Sequence, residues 1–99
     1  MVKHIVLFKL KNDIPADEKQ GVMQAFKTAI EALRESIPFL IDVEVGLNDN
    51  PAETWDIALT ATLESMDDVQ HYAIHPDHVA AAKLLADVKE NRACVDYIF

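Results

Sequence analysis

The chain has one cysteine, two glycines, few cations and no long apolar run. Each scarcity excludes something. Cys94 alone forms no intramolecular disulfide, and no cysteine spacing suggests a sulfur-ligated metal site. A solitary thiol suits a reducing compartment. Gly21 and Gly46 make no Gly-rich phosphate loop, so no nucleotide is expected. No apolar stretch approaches the roughly 20 residues that span a bilayer. The chain opens directly on strand-like sequence, so no leader is expected and the cytoplasm is the expected location. Nine Lys and Arg stand against 17 Asp and Glu, a net charge of −8. Such a chain repels phosphate backbones and anionic lipid, so neither nucleic acid nor a membrane surface is an expected partner.

What is present reads as one compact domain over residues 1–99, 51% hydrophobic and with short connections. A domain of this size buries about two-thirds of its unfolded surface, so a partner subunit would reinforce a thin core. "MVKHIVLFKLK" alternates: Val2, His4, Val6, Phe8 and Leu10 face one way, Lys3, Ile5, Leu7, Lys9 and Lys11 the other. This predicts strand one. Pro15 marks a helix start with Asp17 and Glu18 in its first turn. Val22, Met23, Phe26, Ala29, Ile30, Leu33 and Ile37 form its apolar stripe, and Pro38 ends it beyond about Ser36. Alternation over 41–47 and 55–63 predicts strands two and three, separated by the turn-rich "NDNPAE".

Ser65 followed by Asp68 is a helix-start signal for a short helix over about 66–74. His75-Pro76 interrupts it, because the residue before proline avoids helical angles. A second piece runs from Pro76 to about Lys89, and "RACVDYIF" is strand four. The order strand-helix-strand-strand-helix-strand predicts an α+β, ferredoxin-like βαββαβ fold with a four-stranded antiparallel sheet. Its helix-facing side should carry Val6, Phe8, Val43, Val45, Ile57, Leu59 and Val95. Ile5, Leu7, Ala58, Thr60, Cys94 and Ile98 then fall on the opposite face, too apolar to be left to water. A homodimer through that face, two sheets closing a barrel-like core, is the expected assembly.

"DVQHYAIHPDH" holds three of the four histidines. Helical spacing turns Tyr72 toward the sheet with Val69, and His78 with Val79, Ala82 and Leu85. His4 enters the same layer from strand one. His71 and His75 fall on other faces, nearer solvent. His78 lies in the first turn after Pro76, where the helix dipole disfavours imidazolium, so a neutral base is expected. A neutral His78 can take a proton, Tyr72 can donate to a developing oxyanion, and His4 can orient either. The packing alternative is equally concrete: His75 caps the helix that Pro76 starts, and His78 bonds a backbone carbonyl at the break. A metal held by His71, His75 and His78 is a further reading, opposed by the proline that disrupts their spacing, and no metal or other cofactor is expected.

"VKHIVLFKLK", "ES" before the second helix and "YAIHPDH" inside it resemble the stress-responsive α/β-barrel (Dabb) family across nearly the whole chain. The resemblance implies a ferredoxin-like monomer and a dimeric α+β barrel. The family includes a plant polyketide cyclase. Tyr72 and His78 match that enzyme's acid–base pair and His4 a pocket histidine, whereas Ile57 stands where it has another histidine.

The expected role is therefore binding of a small apolar or aromatic ligand between sheet and helices, lined by Val6, Phe8, Met23, Phe26, Ile30, Val43, Ile57, Leu59 and Val79. The alternative is a cofactor-independent enzyme, cyclase-like or lyase, with Tyr72 and His78 as acid and base. A cofactor-free oxygenase is a third reading, on fold analogy.

Overall fold

The computed structural model describes residues 1–99. Four strands, β1 (Val2–Leu10), β2 (Asp42–Leu47), β3 (Ile57–Leu63) and β4 (Lys89–Ile98), form one antiparallel sheet in the order β2-β3-β1-β4. Helices α1 (Ala16–Glu31), α2 (Leu33–Ser36), α3 (Met66–Ile74) and α4 (Pro76–Ala82) complete it, with a short 3-10 turn at Lys83–Leu85. The ferredoxin-like α+β architecture is the expected one.

α1 buries Met23, Phe26 and Ile30, one stripe at three- and four-residue spacing. It breaks at Ala32, and α2 stops where Ile37 turns extended ahead of Pro38. The Glu31 carboxylate ties the helix end to β2, accepting from the Val45 N–H at 3.0 Å and from Lys27 Nζ at 2.9 Å. The Val45 N–H, then Lys27, hold its pKa below the ordinary value. Phe26, Ile30, Val6, Val45, Ile57 and Leu59 form the centre of the core.

β4 departs from the sequence reading in two ways. It begins at Lys89 rather than near Arg92, and the preceding helix ends correspondingly earlier. Residues 89–91 are polar and carry no strand pattern; a register shift between Lys9 and Leu10 lets Lys89 pair with Leu10. The faces of β4 are also reversed. His4 pairs with Asp96, Val6 with Cys94 and Val2 with Ile98, so Cys94 and Ile98 share the helix-side face. Val95 pairs with Ile5 and belongs to the outer face. The reason is that β4 is an edge strand exposed along its length, so burial does not enforce its pattern. The register with β1 puts Arg92 and Asp96, rather than the apolar Ala93, Val95 and Tyr97, on the helix side.

Candidate functional site

The Ser65 hydroxyl caps α3, accepting from the Asp68 N–H at 3.2 Å. That start turns Val69 and Tyr72 inward, and Tyr72 is 1% exposed. At the break, His75 is extended (φ −61°, ψ 133°) and its Nδ1 accepts from the Asp77 N–H at 3.1 Å. His75 is thus the cap of α4, as the packing alternative has it. His71 is largely exposed and stacks edge-on to Phe39.

The helix break at His75-Pro76 lays the His78 ring against Tyr72, their centroids 4.4 Å apart. His78 Nδ1 lies 3.1 Å from the Ala73 carbonyl oxygen. A carbonyl only accepts, so Nδ1 carries the proton and Nε2 keeps its lone pair. The His78 pKa is lowered, first by burial, with the nearby His4, Arg92 and His75 adding to it and the Ala73 bond opposing it. The direction is the expected one, but the main cause is desolvation rather than the dipole of a seven-residue helix. Burial pushes the Tyr72 phenol up to about 12, which keeps it a proton donor. Its buried Oη has no hydrogen-bond partner.

His4, 7% exposed, meets the Tyr72 ring edge-on at 6.0 Å. Its Nδ1 contacts Asp96 Oδ1 at 2.5 Å, and Cys94 Sγ lies 3.6 Å away. Asp96 was invisible from sequence because its partnership with His4 depends on the β4 register. His4, Cys94 and Asp96 also form the grouping with metal-ligand donor types, their atoms within 4.8 Å of one another. Burial, then Asp96, raises the Cys94 pKa, so the thiol is not poised as a thiolate. His71, His75 and His78 do not converge: the Nδ1 atoms of the last two are directed at backbone groups.

A cavity of about 120 Å³ opens between these rings. His4, Tyr72 and His78 line it together with Val6, Phe8, Phe26 and Leu59. Met23, Ile30, Val43 and Ile57 do not; they are packed into the core. Val79 is 39% exposed, because α4 buries Ala81 and Val79 sits two positions off that face. Sequence reading missed Lys89 and Arg92, which also line the cavity. A broader open depression of about 740 Å³ lies against the outer sheet face around Leu7, Leu47, Trp55 and Ala58. It has no histidine or tyrosine in its walls.

The family model for the stress responsive A/B barrel domain matches residues 2–99. The chain belongs to this family. Among its relatives, olivetolic acid cyclase from Cannabis sativa is 31% identical, with 97% of this chain and 94% of that one covered. A dimeric protein of unknown function and ferredoxin-like fold from Bacteroides fragilis is 60% identical, with a TM-score of 0.98 over 99% of this chain and 95% of that one. Hydroxynitrile lyase from Passiflora edulis shares the fold at 19% identity, with a TM-score of 0.74 over 99% of this chain and 92% of that one. Family membership leaves the reaction open, because the fold hosts more than one chemistry. No helix is long and apolar enough to cross a membrane.

Proposed function

We propose that this protein binds a compact, oxygen-bearing aromatic or acyl compound in the cavity between His4, Tyr72 and His78. The unpartnered Tyr72 hydroxyl carries the reading. A buried hydroxyl without a partner costs about 1–3 kcal/mol, and a ligand oxygen there would relieve it. The size is decisive about the ligand. An apolar cavity of about 150 Å³ accepts benzene, so about 120 Å³ accommodates one small ring or a short acyl group. A long polyketide chain would need the helices to part.

Thermal unfolding against a panel of single-ring aldehydes, ketones and phenols tests this. A ligand at 100 times its Kd adds about 2.7 kcal/mol, which for a domain of this size raises Tm by roughly 10 °C or more. A flat response across the panel would overturn the proposal.

One observation favours chemistry beyond binding. His78 is held as a neutral base with Nε2 free, its ring 4.4 Å from that of Tyr72. On a carbonyl compound, Nε2 would take an α-proton while the Tyr72 hydroxyl donates to the enolate oxygen. The His4–Asp96 pair would hold the third wall of the site. The step needs no cofactor, because the protein supplies both acid and base.

We infer further that the protein is a homodimer, as its Bacteroides fragilis relative is dimeric, and that the outer face of the sheet forms the interface. Ile5, Leu7, Ala58 and Val95 share that face. Val95 is 53% exposed in the single chain. Sedimentation should show a dimer for the native protein and a monomer for Leu7→Lys. A native monomer at micromolar concentration would sink the idea.

A further inference from the structure

The walls of the cavity are not charge-neutral, and their sign runs against the rest of the molecule. The chain carries a net −8, yet no Asp or Glu lines the cavity, whereas Lys89 and Arg92 do. Lys9, Lys19, Lys27 and Arg34 are ion-paired to carboxylates. Lys89 and Arg92 have no such partner. The nearest acid on this face of β4, Asp96, is committed to His4.

Register gives the cavity two ends. On the helix-side face of β1, His4 lies opposite Asp96 and Phe8 opposite Arg92, while Leu10 lies opposite Lys89. His4 and Phe8 are four residues apart, about 13 Å along the strand. The backbone of Arg92 and Lys89 therefore lies toward the end away from His4, and the Arg92 side chain reaches back along the cavity toward Cys94 and His78. Between the two ends lie the apolar walls of Val6 and Phe26 and the unpartnered hydroxyl of Tyr72.

We propose that the ligand is a small aromatic or acyl carboxylate, its ring among Phe8, Phe26 and Val6 and its carboxylate held by Arg92 with Lys89. This rests on the reading of the cavity as a ligand site and names the ligand's charge. Arg92 is the principal anchor, since a guanidinium matches a carboxylate with two parallel donors. Lys89 adds a point charge. Net repulsion from the rest of the chain makes these two groups the selective element: a neutral analogue gains at most a hydrogen bond from them, without the charge pairing.

The experiment compares benzoate with benzamide, isosteric but uncharged, by calorimetric titration of the full chain and of Arg92→Gln. Arg92 is exposed, so the variant should fold. Benzoate should bind the native protein at least tenfold tighter than benzamide, and Arg92→Gln should weaken benzoate far more than benzamide, leaving only the smaller preference that Lys89 supplies. Raising the salt should weaken benzoate alone. If benzamide binds as well as benzoate, or the preference is undiminished in Arg92→Gln, the carboxylate assignment is overturned and the cavity reading stands. If neither compound binds while neutral carbonyls from the panel do, the assignment is likewise overturned. If nothing from either set binds, both readings fall.

Discussion

Tyr72→Phe is expected to stabilise the ligand-free protein by about 1 kcal/mol and to abolish its response to ring carbonyls. Most substitutions of a buried side chain destabilise, so the sign is diagnostic. The ring of Tyr72 is fully packed, and phenylalanine keeps that packing. What it removes is an oxygen with no partner, whose burial costs free energy in the native state alone. In a 99-residue domain about 1 kcal/mol corresponds to a Tm rise of about 4–8 °C. Ligand response should move the other way, because the variant offers no donor to the ligand oxygen. Denaturant unfolding with and without ligand measures both. A Tyr72→Phe protein less stable than the native one would show that the hydroxyl is already satisfied, and the principal support for the site would be gone.

His78→Ala is expected to slow base catalysis by 10²- to 10⁴-fold, the usual contribution of a positioned general base. Exchange of the methyl protons of acetophenone in heavy water, followed by NMR, reads the proton transfer without requiring the natural substrate. The pH dependence follows from the lowered pKa of His78. The imidazole stays neutral below its ordinary value of 6.5, so exchange should hold steady through that pH and fall only at more acidic values. The stability effect has the matching sign. Below pH 6.5 the unfolded chain binds a proton at this position more readily than the folded one does. The contribution is therefore complete above 6.5 and is lost as pH falls toward the folded pKa. His78→Gln should flatten that part of the stability profile. Exchange by native protein and His78→Ala at equal rates would remove His78 from the chemistry and leave it as the residue that ties α4 to Ala73.

The two substitutions separate binding from turnover. Loss of ligand response in Tyr72→Phe, with His78→Ala keeping that response but losing proton exchange, would mark a binding site whose histidine also does chemistry. Both silent would move the rings to the packing alternative, in which His75 caps α4 and His78 secures the break.

Local patterns in the sequence determine much of this protein. Alternation over 2–10 specifies β1 and puts His4 on its helix-side face, because side chains in a strand alternate strictly. Pro76 forces the helix to restart, and three-four spacing then carries Tyr72 and His78 inward. What sequence alone left undecided is held by long-range register. The apolar set of β4, Ala93, Val95 and Tyr97, points by pattern to the helices, and the register with β1 turns it to the outer face instead. Only pairing with β1 brings Asp96 to His4 and Arg92 beside Phe8, residues 92 and 84 positions apart. The volume of the cavity, the neutral tautomer of His78 and the unpartnered Tyr72 hydroxyl likewise depend on how three distant segments close on one another. Spacing along a chain records the direction in which a side chain points; what it meets there is set by packing.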